Sequence, residues 1–369
     1  MKKSSVLLGF CACFLIYGLL RYPTSMLASS AASITLWLTK VFPALFPFLA
    51  ACGILLRIGA AERMGHLLRP LTKLLFGLDG IAAFPFFLGI LSGYPMGAKI
   101  TAQLYEKKYI SLEEVQHILV CSNNPGPLFL IGTIGVGFFG MPIFGYLLLA
   151  ASFCGAVTTG ILWRFRRKKT PVSAHTHTYR PSSTTTSLTE LLTDSVADAI
   201  NTILLIGGYL ILFGAVSETI EQTGIFIHLS ETLSILSLSA ETLQGLCSGL
   251  LEMTNGAYLL SLAPDALRLR LTITAFLVSF GGLSILGQTF GVLSAVPINK
   301  KDYLKGKLLN ALFSSLFFWF FYPFFEQKAQ KAVPVFSFFT ETAFTLSFLW
   351  LLPSLFFLGV LCHALLSKR

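Results

Sequence analysis

The chain has 369 residues, of which 54% are hydrophobic and 12% charged, and 27 Lys plus Arg against 17 Asp plus Glu leave a net charge of +10. Soluble domains carry about 25% charged residues, and a mean hydropathy of +0.74 excludes a soluble globular enzyme, a disordered chain and a disulfide-stapled secreted domain. The composition is that of an all-α polytopic membrane protein, and basic residues gathered in short clusters between apolar runs mark topology in a lipid bilayer rather than a nucleic-acid partner.

An apolar run over 4–20 follows Lys2 and Lys3 and is too long for a signal-peptide core, so it reads as a retained helix. A second span covers about 35–57, broken up by Pro43 and Pro47, and the two make an N-terminal unit over 1–60. Over 65–77, Leu67, Leu68, Leu71, Leu74 and Leu75 share one helical face with Arg69 and Lys73 opposite, the pattern of a helix lying on the membrane surface. The apolar hairpin 81–108 carries SGYPMG in its middle. Ser111 and Glu114 then make a capping box that opens a span over 111–139, interrupted by SNNPGP at 122–127. An unbroken span over 141–163 ends in RFRRKK. These elements form a first repeat, 61–163.

Residues 164–187 are a basic, Ser/Thr-rich cytoplasmic linker without an apolar period. The second repeat, 188–326, begins with an amphipathic lead-in (Leu188, Leu191, Leu192, Val196) to a span over 200–216. A hairpin over 240–264 is interrupted by LEMTNG, and a span over 271–293 by SFGGLSILGQ. The basic cluster NKKDYLKGK precedes a span over 308–325, and a C-terminal span lies within 327–369.

Threading about eight transmembrane helices and two re-entrant hairpins through a bilayer leaves only Arg21, Lys40, Arg268, Arg270, Lys328 and Lys331 outside; Lys305 and Lys307 count among the many placed inside. The positive-inside rule therefore puts both termini in the cytoplasm. The halves repeat one order of events: broken hairpin, broken span, unbroken span. Gly97-Ala98 matches Gly256-Ala257, and the two hairpins enter from opposite sides, which makes an inverted repeat with discontinuous helices. Unpaired backbone inside hydrocarbon survives only where it is buried in protein or lines a wet cavity, and inverted repeats place such a site between the halves.

Each interruption starts a half-helix whose first N–H groups point back into the break. Asn123 or Asn124 is a natural N-cap with Pro125 at the first position; Pro95 after Tyr94, and Thr254 or Asn255, are placed for similar parts. Such ends bind carboxylate or phosphate groups, so the expected partner is a small anionic solute. Ser92 and Gly93 complete the first tip, Lys99 follows it by a turn as a counter-charge, and Glu252 is a proton or cation site, with Na+ or H+ as the coupling ion. Ser284 and Gln288 are further hydrogen-bonding candidates, while His117 reads as polar packing and Glu341 as a solvated helix end. The seven cysteines make no C-x-x-C pair, the histidines lack ligand spacing, and no catalytic motif is present.

With LFPF at 45–48, SGYPMGAK at 92–99, SNNPGPLFLIGT at 122–133, LLEMTNG at 250–256 and FGGLSILGQ at 280–288, the chain resembles the nucleoside-recognition or Gate-domain membrane proteins, and more closely the YlbJ-type sporulation integral membrane proteins. That resemblance implies a role in endospore formation, with export of dipicolinic acid from the mother cell toward the forespore. The wider Gate proteins are similar to concentrative nucleoside transporters, whose two hairpins and two unwound helices enclose the ligand; Glu252 falls where those carry a hairpin-region carboxylate. The residues by themselves give a small polar or anionic solute. Two other readings stay open: nucleoside or nucleobase uptake coupled to a cation, and a non-transporting sporulation scaffold.

Overall fold

The computed structural model describes residues 3–58, 70–78, 80–106, 108–166, 187–225 and 238–331. Most of the linker, the first part of the surface helix, and the C-terminal span with Glu341 lie outside the described residues. The described chain is helical throughout.

Helix α1 (Lys3–Arg21) meets α2 (Pro23–Leu36) at a 111° bend, with Pro23 supplying the fixed φ that suits a first helical turn. Helix α2 fills a stretch that the span pattern leaves as a connection. It continues through a π-helical turn, Trp37–Val41, into α3 (Phe42–Arg57). Pro43 and Pro47 therefore do not cut this segment apart. The widened turn falls just before Pro43, where the backbone has to accommodate a ring without an N–H. In the short helix α4 (70–76), Thr72 and Phe76 are buried while Leu71 and Leu74 turn away from the protein.

Helices α5 (Gly80–Ser92) and α6 (Met96–Glu106) pack against each other across residues 93–95. Helix α7 (Leu112–Ser122) starts on the expected capping box: Glu114 N–H donates to Ser111 Oγ at 3.3 Å, and Ser111 N–H donates to Glu114 Oε2 at 2.8 Å. After 123–126 the chain turns helical again at Pro127 and continues as a π-helical half, Phe129–Phe138, followed by α8 (Pro142–Arg166). A second capping box, Ser187 with Glu190, opens α9 (Leu188–Gln222), so the amphipathic lead-in and the apolar span are one helix of 35 residues.

Helices α10 (Ala240–Leu251) and α11 (Met253–Leu262) fold back on each other at Glu252. Helices α12 (Leu267–Phe280) and α13 (Gly282–Val292) are separated by Gly281 alone. The last described helix is α14 (Lys300–Lys331). Here the structure corrects the sequence reading. NKKDYLKGK does not precede the helix but forms its first turns, because Asn299 Oδ1 accepts the N–H groups of Lys301 (3.1 Å) and Asp302 (3.3 Å) and starts the helix at once. Tyr303, Lys307, Asn310 and Ser314 then follow at helical spacing on one face, each with 0% exposure, and that face packs on α8, α12 and α7.

Four helices among the described residues are long and apolar enough to cross a membrane: Pro142–Arg166, Leu188–Gln222, Leu267–Val292 and Lys300–Phe325; the bent α1–α2 pair makes a fifth if it counts as one span.

Candidate functional site

The first and second breaks cross each other backbone to backbone. Gly93 adopts φ +80°, and a Cβ there would lie 2.5 Å from Gly126 N; a Cβ on Gly126 would lie 3.0 Å from Ser92 O. No larger residue fits at Gly93 while the chains keep this approach, and one at Gly126 would be a tight fit. The third and fourth breaks meet in the same way. Gly282, at φ +69°, leaves room for the carbonyls that end α10: its Cβ would lie 2.8 Å from Gly249 O and 3.1 Å from Leu250 O and Leu251 O.

Between the four breaks lies a cavity with an empty volume of about 520 Å3, counting the open space at its mouth. Every break contributes to its wall: Ser92, Gly93 and Tyr94; Pro125 and Gly126; Glu252 and Thr254; and, from the first turns of α13, Ser284 and Gln288. Apolar residues of the π-helical turn, α3 and α9, among them Val41, Leu45 and Ile206, close the rest.

Glu252 is 3% exposed, and its extended backbone (φ −144°, ψ 114°) is what ends α10 and begins α11. Its carboxylate caps the new helix, accepting the Asn255 N–H at 2.8 Å and the Thr254 hydroxyl at 2.9 Å, where the positive end of the α11 dipole supports a negative charge. Gln288 Nε2 donates to Ser284 Oγ at 3.4 Å, and its Oε1 has no hydrogen-bond partner among the described residues, leaving an acceptor in the cavity wall.

The other expected site residues lie off this wall. Asn123 ends α7 rather than capping the next half-helix, and its Nδ2 donates to Thr289 Oγ1 (2.9 Å) and Tyr303 Oη (2.7 Å). Asn124 donates to Cys121 O at 2.6 Å and accepts from Asn310 Nδ2 at 2.5 Å. These two side chains bolt the second break to α13 and α14. Pro95 is buried behind Tyr94, in a cis peptide bond with it, and Asn255 holds Glu252 through its backbone. Lys99 is half-buried on α6, outside the cavity lining. His117 is packing, as expected: Nε2 meets Gly160 O at 2.8 Å, and the ring lies edge-on to Phe76.

The residue that sequence reasoning missed is Lys307. Its Nζ donates to Asn123 O at 2.7 Å and to Tyr94 Oη at 2.8 Å, and lies 4.9 Å from the centroid of the Tyr94 ring. Tyr94 Oη is also 3.1 Å from Val278 O and 3.0 Å from Ser279 O, the carbonyls that the fourth break leaves open at the end of α12, and donates its proton there. A chain of hydrogen bonds thus runs from α14 through the second and first breaks to the fourth. The available signal was the 303/307/310/314 spacing of polar residues within an apolar helix; a basic cluster at its start concealed it.

Residues 38–142, which contain the first and second breaks, match the nucleoside recognition (Gate) family. Over 340 residues the chain is 29% identical to the sporulation integral membrane protein YlbJ of Bacillus subtilis (strain 168), covering 86% of this chain and 82% of that protein. In three dimensions it is similar to two CNTnw variants in outward-facing states, with TM-scores of 0.54 and 0.51. Each superposition has 14% sequence identity and covers 87% of this chain and 84% of the other. The likeness shows the fold, that of a helical, concentrative-nucleoside-transporter-like integral membrane protein.

Proposed function

We propose that the chain is a secondary transporter that carries a small anionic aromatic solute through the cavity between its four breaks, and that the solute is dipicolinic acid, exported during endospore formation. One observation carries the transport reading: residues of three helix interruptions, and of the first turns of α13 after the fourth, line a single cavity. Backbone breaks survive in hydrocarbon where they face protein or a wet cavity, and discontinuous helices are the usual walls of a transporter's site. The paired crossings, Gly93 on Gly126 and Gly282 on the end of α10, support an inverted repeat, because each hairpin tip touches the broken span of its own half. Half-helix ends at the breaks favour a negative solute. The sporulation name of the 29%-identical relative supports a place in endospore formation, and dipicolinate is the solute we propose for that role.

Purified protein in liposomes should move dipicolinate. Glu252→Gln should reduce that flux roughly 10- to 100-fold, the worth of one charge-assisted contact, while Lys99→Ala leaves it unchanged. Full activity in Glu252→Gln would remove the cavity from the mechanism. Flux that depends on the 164–187 linker and not on the breaks would favour a scaffold.

A second reading, nucleoside or nucleobase uptake coupled to a cation, is favoured by the Gate match, the fold and the acceptor-rich wall of Glu252 and Gln288 Oε1, which suits N–H and O–H donors. Competition by uridine but not by dipicolinate would establish it.

A further inference from the structure

Lys307 has no exposed surface, and the ion pairs among the described residues, Arg57 with Asp194 and with Asp198, lie elsewhere on the surface between α3 and α9. An ammonium taken out of water is costly unless its surroundings replace the hydration shell. An apolar side chain at 307 would avoid that cost, so the charge is accounted for by what it binds. Its partners are neutral and electron-rich: the Asn123 carbonyl at 2.7 Å, the Tyr94 hydroxyl oxygen at 2.8 Å and the Tyr94 ring face at 4.9 Å. The carbonyl is available because α7 stops at Ser122, so no helical N–H follows to take it. Asn123 Oδ1 adds a buried acceptor with no hydrogen-bond partner among the described residues. Carbonyl and hydroxyl oxygens with an aromatic face are the ligands that hold a dehydrated monovalent cation. Lys307 is not in the cavity lining, where Tyr94 stands between it and the space a solute would fill, so direct solute recognition is not its part.

We infer that the crossing of the first and second breaks is a monovalent-cation site that the chain fills permanently with the Lys307 ammonium. On the transport reading above, the carrier then takes no alkali cation at this place, and its cycle is independent of a Na+ or K+ gradient. The tether from α14 delivers the charge without the entropy cost of capturing a free ion, and it ties the two breaks to the other half of the molecule.

Thermal unfolding of the purified full chain in choline, sodium and potassium chloride at equal ionic strength tests the site without any transport measurement. Wild type should melt at one temperature in all three. Lys307→Ala should lose roughly 5–15 °C in choline, from two lost charge-assisted bonds, and regain at least about half of that in Na+, K+ or ethylammonium, since a ligand that binds only the folded state raises its stability. Lys307→Met, whose thioether fills the vacated space, should be destabilised without rescue. Wild type stabilised by Na+ over choline would overturn the inference. So would a Lys307→Ala chain indifferent to every cation, or one that fails to fold in all of them, ethylammonium included. In liposomes, wild-type dipicolinate flux should be unchanged when choline replaces Na+, and flux that requires Na+ would overturn the inference as well. Absence of flux of both dipicolinate and uridine would remove the transport reading and leave the melting experiment to decide the cation site.

Discussion

At the scale of single residues, the site depends on places where side chains are missing as much as on those present. Gly93 combines φ +80° with a neighbouring backbone nitrogen 2.5 Å from where a Cβ would stand, while Gly132 has nothing within 4 Å and no unusual φ. Gly93→Ala should therefore lower stability by about 2–4 kcal/mol, from left-handed strain plus displacement of the second break. Gly132→Ala should be neutral or raise stability by about 0.5–1 kcal/mol, as alanine for glycine in a helix does. Thermal unfolding of the two variants checks this; equal melting temperatures would mean that the breaks do not touch. Tyr94, Glu252, Ser284 and Gln288 were legible in the sequence because each lies inside or within two turns of an interruption, where Gly, Pro and Asn punctuate an apolar run and draw attention to the polar neighbour. Lys307 was not. A lysine near a helix start beside Lys300, Lys301 and Lys305 carries the same letters whether it points to water or inward, and only the helical phase set by Asn299 decides between them.

At the scale of elements, the Ser111–Glu114 capping box and the order of broken and unbroken helices could be read directly, because caps and breaks are local chemistry. Continuity could not. Whether Pro43 ends a helix or is carried by one depends on neighbours that stabilise an irregular turn, and those neighbours are distant in sequence. The second hairpin shows such a distant tie at its base. Asp265, in the connection after α11, accepts the N–H of Ser239, the residue that caps α10, at 3.0 Å. Hydrogen bonding from Ser239 holds its carboxyl below the usual carboxylate range. A carboxyl whose folded value is depressed stabilises above its unfolded value, about 3.9, and loses that contribution as pH falls through the folded value. Asp265→Asn should therefore melt below wild type by a constant margin from neutral pH down to about 5, and the margin should close in more acidic solution. A margin that persists undiminished well below the unfolded value would show that the carboxylate charge is not what clips the hairpin.

At the scale of the whole molecule, the helical order constrains sidedness more tightly than charge counting does. Helices α12 and α13 form one span of 26 residues, about 39 Å at 1.5 Å per residue, enough to cross the hydrocarbon core. If that span crosses the bilayer, residues before α12 and after α13 lie on opposite sides, whatever the membrane spans elsewhere. Pro264 precedes that span and Lys301 follows it at the start of α14; both are exposed. By the positive-inside rule, the exposed lysines at 300, 301 and 305 predict a cytoplasmic α14 start. In a background where the native cysteines are serine, a membrane-impermeant maleimide added to intact cells should label Pro264→Cys and spare Lys301→Cys, with the pattern reversed on inverted vesicles. Labelling of both positions from one side would mean that the broken helix does not cross the bilayer. A cavity reached through its break would then open to a single face, and a protein with such a cavity can bind a solute but cannot pass it across.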